Sequence, residues 1–302
     1  MAAIARRATA EAIQYRSAEA VWIASSLTLL AMTEETSRTY QTQDMATPSI
    51  TVAETPLVLY ALRRADDGLI LGHRLSEWCG HAPMLEEDMA LSNIALDLIG
   101  QARALYTYAA EVEGKNNDED KLAYLRDVRQ YRNLLLVERP NGDFAQTMVR
   151  QLFYSSFADP YWRGMMHSTD ATLAAIAAKS EKESAYHLRH VSEWIIRLGD
   201  GTDESHARAQ AAIDDLWAFT GEMFAVDDAE RSMIASGVAV DPLTLKSPWM
   251  VTVSEVVREA SLTLPETDWM QQGGRDGRHS EHLGHLLSEL QHMQRSFPGA
   301  SW

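Results

Sequence analysis

From Thr55-Pro56 to the C-terminus, apolar residues recur at three- and four-residue spacing, the period of helices with one buried face, and turn signals separate the segments. Thr55 suits an N-cap and Pro56 a first helical position, predicting a helix from Leu57 to Cys79. Gly80-His81-Ala82-Pro83 then makes a tight connection. A second helix follows to Gly114, with Glu86, Glu87 and Asp88 at its positive dipole end, about 30 residues and ~45 Å long. Lys115 to Asp120 reads as a loop, Leu122 to Gln130 as a shorter helix, and Pro140-Asn141-Gly142 as a turn. Further helices are predicted over 143–167, 170–198 (stopped at Gly199-Asp200-Gly201), 204–224, 248–262 and 280–296. Only Met250 to Val257 is rich enough in β-branched residues to suggest a strand.

Two long helices, a crossover segment and two more long helices predict an all-α, ferritin-like four-helix bundle with one long crossover, followed by extra C-terminal helices. This domain spans residues 55–302. Residues 1–54 differ: they are rich in Ala, Thr and Ser, weakly periodic, and read as a non-conforming extension, disordered or preceding a true start at Met45. Arg6 and Arg7 ahead of the apolar run Val21 to Met32 only loosely imitate a secretory signal, because the leading region is long and no cleavage site follows. No internal repeat is visible.

Composition narrows the function. The 302 residues are 46% hydrophobic and 23% charged, which is ordinary for a globular chain. A formal charge of −16 argues against binding nucleic acid through the general surface. No run reaches the ~18 apolar residues that span a bilayer. The single Cys79 excludes an internal disulfide and any Cys-rich metal site, so a reducing cytoplasm is the default.

Ferritin-like bundles often hold two irons, and the requirement is specific. One helix in each half must offer Glu-x-x-His pointing inward, and each of the other two a further Glu. The second helix has no His. Its core-facing line is Leu91, Ile94, Leu98, Ala102, Leu105 and Ala109, with Asp97 and Gln101 at the edge of the arc. The helix over 170–198 has an apolar arc of Leu173, Ile176, Ala177, Leu188, Val191 and Ile195, with Ser180 and Ser184 among them. Glu183 and His187 fall on the flank of that arc, four apart rather than three, and Lys179 lies one turn earlier. They read either as a ligand pair or as a Lys–Glu ion pair beside a hydrogen-bonded core histidine. The second is favoured, because a carboxylate near an apolar core is usually paired. Glu289-x-x-His292, with Glu281 and His285, makes an acid–histidine stripe on the last helix. It lies opposite the apolar stripe of Leu283, Leu286, Leu287, Leu290 and Met293 and so faces away from the core. Asp203-x-x-His206 and Asp276-x-x-His279 fall in loop-like sequence.

Other chemistry has less support. Glu77, Cys79 and His81 invite a thiol-nucleophile reading, but they do not share a helix face, and Cys79 reads better as small apolar filler. No dinucleotide or Walker motif is present. Gly273-Gly274-Arg275-Asp276-Gly277 precedes a helix and could receive an anion, or simply connect. Trp194, on the flank of its helix's arc, could serve an interface.

Taken in order, several strings carry a resemblance: Glu77-Trp78-Cys79-Gly80-His81-Ala82-Pro83; Leu96-Asp97-Leu98-Ile99-Gly100-Gln101-Ala102-Arg103; Pro140-Asn141-Gly142-Asp143-Phe144-Ala145; Tyr186-His187-Leu188-Arg189; Gly237-Val238-Ala239-Val240-Asp241-Pro242; and His279-Ser280-Glu281-His282-Leu283-Gly284. From about residue 56 onward the chain closely resembles the C-subunit family of the phenylacetic acid degradation complex, a ring 1,2-phenylacetyl-CoA epoxidase. The resemblance implies a structural, iron-free subunit of a bacterial multicomponent monooxygenase. A ferritin-like sister subunit holds the di-iron centre and binds phenylacetyl-CoA. A reductase with FAD and an iron–sulfur cluster supplies electrons from NADPH, and a small subunit bridges the assembly, within which homodimerised heterotetramers are expected. It assigns no catalytic, cofactor-binding or metal residue to this chain. Any inward carboxylate left without a metal then needs a countercharge, and the expected polar cluster is Lys179, Glu183, His187 and Asp97. The alternative is a di-metal oxygenase in its own right.

Overall fold

The computed structural model describes residues 49–300. The extension expected over 1–54 lies outside the described residues as far as 48. Residues 49–53 are laid onto the domain: Ile50 N–H donates to Leu125 O at 3.3 Å, and Ala53 N–H to Glu113 Oε1 at 2.6 Å.

The described residues are all-α, with no strand. Helix α1 (Pro56–Ser76) starts where Thr55 Oγ1 accepts from Val58 N–H and proline occupies the first position. Helix α2 (Leu85–Glu113) ends at Gly114, whose φ of +67° closes the last turn in the left-handed region. Two short helices, α3 (Glu119–Tyr124) and α4 (Leu135–Glu138), form the crossover. Helix α5 (Phe144–Met165) is capped by Asp143, and α6 (Ala171–Gly199) by Asp170. After them come α7 (Asp203–Leu216), α8 (Asp228–Ala235), α9 (Pro242–Glu259), α10 (Glu281–Leu290) and α11 (His292–Ser296).

The long helices pair as α1 with α2 and α5 with α6, and α2 also packs on α6. Glycine permits the first pairing. A Cβ on Gly68 would stand 2.9 Å from Leu98 O, and one on Gly72 2.9 Å from Ile99 Cγ1. Cross-links 97–187 and 101–183 run in opposite senses along the two helices, so α2 and α6 are antiparallel. Helix α9 covers α5. Its buried Trp249 donates to Phe153 O at 2.9 Å and sits against Phe153, Trp217 and Phe224.

Several expectations change. Helix α9 begins six residues earlier than the sequence suggests, because Asp241 caps it and Pro242 opens it, with Pro248 tolerated on its exposed side. Its Met250–Val257 stretch is helical, since the β-branched Val253, Val256 and Val257 bury on α9's inner face. The 204–224 segment breaks at Leu216 into short 3₁₀ turns. The last helix breaks at Gln291, whose buried amide donates to Arg126 O at 3.0 Å. That break leaves Met293 exposed rather than in the apolar stripe. Helix α8, with its Asp227 cap, was not expected. Asp203 and His206 belong to the first turn of α7, not to a loop. No helix among the described residues is long and apolar enough to cross a membrane.

Candidate functional site

Two groups of charged side chains sit among the long helices. The first lies along the seam between α2 and α6, where the sequence points. Asp97, Gln101, Lys179, Glu183 and His187 are brought together there. His187, only 2% exposed, donates from Nε2 to Asp97 Oδ2 at 3.0 Å. Gln101 donates from Nε2 to Glu183 Oε2 at 2.8 Å. Lys179 Nζ lies 3.5 Å from the other oxygen of Glu183, but its side chain is 71% exposed. The buried partner of Glu183 is therefore the amide, and the lysine closes the cluster from the surface. One turn on, His190 Nε2 lies 3.1 Å from the buried Glu87 Oε2, off the line of a hydrogen bond.

The second group lies along α1 and was not anticipated. Arg63, Arg64, Asp66 and Asp67 are all buried. Asp66 pairs with the buried Arg126 (Nη1 to Oδ2 3.1 Å) and accepts from the Tyr106 hydroxyl and the Arg132 N–H. Asp67 takes a bidentate guanidinium from Arg275, at 2.7 and 3.0 Å, plus the Leu134 N–H. Burial pushes the Asp67 carboxyl up, and Arg275 and Arg64 work against that push. Glu230 binds Arg64 at 2.8 Å and Arg63 at 3.3 Å. Arg63 also holds Asp227, whose carboxyl falls to about 2 chiefly through that hydrogen bond.

Glu138 and Glu222 are held without arginine side chains. Glu138 accepts from His279 at 2.8 Å, Asn133 at 2.9 Å and Ser280 N–H at 2.7 Å. Glu222 accepts N–H groups of Gly273, Arg275 and Leu135 at 2.9, 3.1 and 3.0 Å. The glycine-rich segment thus does receive an anion, and the anion is the chain's own carboxylate. Arg150 is the opposite case, a buried guanidinium whose acceptors among the described residues are Arg139 O and Asn141 Oδ1. Burial, with Arg74 nearby, pulls it down to about 9.

A signal for the α1 group was present in the sequence. Four charged residues within the five positions 63–67 spread over an arc of about 160° at 100° per residue. They cannot all reach solvent from a helix that packs on two neighbours.

The remaining candidates disperse. Cys79 is exposed rather than filling the core, because it follows the end of α1 in the turn toward α2. Glu77 binds Arg74 and Asn141, and His81 meets the Cys79 carbonyl rather than its thiol, so these three residues form no triad. Glu281, His285, Glu289 and His292 are exposed. His206 bonds Gly199 O at 2.8 Å, and His279 is buried on Glu138. Trp194 packs edge-on against Phe144, ring centres 5.0 Å apart.

The donor set does not fit a pair of irons. Among the buried residues of α2 and α6, pairs three apart include Leu98 with Gln101 and Ser184 with His187, no such pair joins a carboxylate to an imidazole, and the one carboxylate among them, Glu87 of α2, has His190 of α6 beside it. Helix α5 offers Gln151 and Ser155. The buried carboxylates of α1 are already engaged by arginines and N–H groups. Among the described residues no three His, Cys, Asp or Glu side chains converge as a metal site would require.

This all-α chain, with charged groups neutralised inside its helices, matches over residues 32–302 the family described as phenylacetic acid catabolic protein, and it belongs to that family. It is a homologue of the C subunit of the 1,2-phenylacetyl-CoA epoxidase of Escherichia coli (strain K12), 49% identical over 246 residues, covering 82% of this chain and 99% of that relative.

Proposed function

We propose that this chain is the C subunit of a 1,2-phenylacetyl-CoA epoxidase, an oxidoreductase complex of phenylacetate catabolism, and that within it the chain is a structural, iron-free partner. In this reading α1, α2, α5 and α6 are the four helices of a ferritin-like bundle. A sister subunit with the same fold holds the di-iron centre and the substrate. A reductase with FAD and an iron–sulfur cluster feeds it, a small subunit bridges the assembly, and the whole is cytoplasmic.

One observation carries the reading. Apart from Glu87 beside His190 at one end of the seam, the buried polar positions of α2 and α6 offer amides, hydroxyls or one engaged imidazole, while the carboxylates of α1, with Glu138, Glu222 and Glu230, are held by fixed donors of the same chain. An arginine that neutralises a carboxylate does what a bound cation would do for folding, but it leaves no orbital for oxygen chemistry. The companion supplies the chemistry, and this chain supplies a stable surface.

The test is co-expression with the catalytic subunit, followed by sizing, turnover and iron analysis. The expected result is a stable pair whose iron scales with the partner alone, and no stoichiometric iron on this chain purified by itself. Near-stoichiometric iron on the isolated chain, bound through Glu183 and His187, would overturn the reading in favour of a di-metal oxygenase.

A further inference from the structure

Exposed apolar side chains are unevenly spread over the domain. Leu85, Met89 and Leu96 fall within about 40° of one another on α2 at 100° per residue, and Met84 precedes them. Leu96 is 66% exposed. Tyr186, also exposed, lies on the adjoining α6 one residue before His187, which bonds Asp97. Single exposed leucines need no explanation, but a stripe of them along one helix does.

Gly100 lies on the same stripe, one turn beyond Leu96. Glycine inside a helix is destabilising relative to alanine, so it calls for a reason. Gly68 and Gly72 have one, the close approach of α2. Gly100 has none among the described residues: a Cβ there would meet Lys179 Nζ alone, at 3.9 Å. A notch of this kind, on an exposed apolar stripe, suits the close passage of a helix from another chain.

Beside the stripe, α6 carries Lys179, Lys182 and Arg189 on the flank of Tyr186, in a chain whose formal charge is −16. Arg189 stands over the Tyr186 ring, 5.6 Å from its centre. Among the described residues neither Lys182 nor Arg189 has an ion-pair partner, and Lys179 has only Glu183 at 3.5 Å.

We propose that the outer face of α2 and α6 is where the catalytic subunit seats, with one of its helices crossing at Gly100, apolar side chains on Leu85, Met89 and Leu96, and carboxylates opposite Lys179, Lys182 and Arg189. This rests on the function proposed above. Each of the two helices is 29 residues long, about 44 Å, and at an axial spacing of 8–10 Å they present roughly 900 Å². That is enough for an interface of standard size, about 800 Å² per partner. A second copy fits less well. A two-fold axis sets a patch against itself, and would bring the cationic flank against its own image or against the apolar stripe. A different chain can answer both strips at once.

The test is co-purification of the full-length chain with the catalytic subunit, using Leu96→Arg, Lys182→Glu and Gly100→Leu, with Val251→Arg on exposed α9 as control. The expected result is about a tenfold or greater loss of retained partner for Leu96→Arg and Gly100→Leu, as for a central interface position. Lys182→Glu should slow association several-fold, more at low salt than at high. Val251→Arg should behave as the parent chain. Circular dichroism should show the variants folded, and Lys182→Glu, at an exposed site, keeps the test open if the bulkier changes unfold the chain. Equal retention by all variants would overturn the face and leave the proposed function standing. Failure of the parent chain to bind the catalytic subunit would overturn both. A fall in the mass of the isolated chain with Leu96→Arg would show a second copy on this face, and also overturn the assignment.

Discussion

Along α1 the buried carboxylates face guanidinium groups, and along the α2/α6 seam they face an amide, an imidazole and one lysine at the surface. Both arrangements answer the same difficulty, a carboxylate among packed helices. In the first, charge meets charge where water is excluded, each oxygen is occupied, and removing one partner strands the other. In the second, Asp97 and Glu183 keep some contact with solvent, so their pairing can be modest. The difference shows how a bundle can hold carboxylates among its helices: the deep sites of α1 use rigid arginine forks, and the shallow ones of the seam make do with dipoles and water.

That contrast orders the expected effects of substitution. Arg126→Met, which strands Asp66 with only Tyr106 and one N–H, should lower stability by about 3–5 kcal/mol in urea unfolding. Adding Asp66→Leu should restore much of it, and a double variant no better than the single would contradict the account of the pair. Glu222→Gln places an amide N–H₂ where one of the two oxygens accepts N–H groups and should cost about 2 kcal/mol, with loss of protection of the 273–277 segment in hydrogen exchange. His187→Gln in the seam should cost about 1 kcal/mol. Lys179→Ala, at a mostly exposed pair, should change unfolding by no more than about 0.5 kcal/mol. A seam variant as damaging as Arg126→Met would erase the distinction between the two regions. pH sharpens it further. The carboxyl of Asp227 lies below its ordinary range in the folded chain, so its contribution is complete above about pH 4 and drains away as pH falls toward 2. Asp227→Asn should remove that part of the acid transition.

Much of this was legible in the amino-acid order. Helical spacing locates α1, α2, α5 and α6 to within a few residues, and Thr55, Asp143 and Gly114 mark ends that the structure keeps. Juxtaposition of Asp97, Lys179, Glu183 and His187 could be expected because each falls on the flank of an apolar arc. The central role of Gln101 could not, since an amide carries no charge to count. Helix α1 was misjudged for a related reason. Its apolar spacing suggested a helix with one wet face, but the crossover, α8 and the 273–277 segment cover that face and deliver Arg126, Glu230 and Arg275 from 60 to 208 residues away. Such long-range partners leave no local pattern. Gln291 ends its helix early for the same reason, as its side chain serves carbonyls of the crossover.

Arg275 and His279 come near the end of the chain, yet they complete Asp67 and Glu138, which are made long before. During translation, a nascent chain ending at residue 270 would already hold the greasy parts of all four long helices while two of its interior acids still lacked their opposite numbers. The finished state is therefore withheld until the segment that carries Arg275 and His279 has been made. A chain cut short before Arg275 should be met by the cell as a client for proteolysis, not as a slightly smaller version of the same molecule.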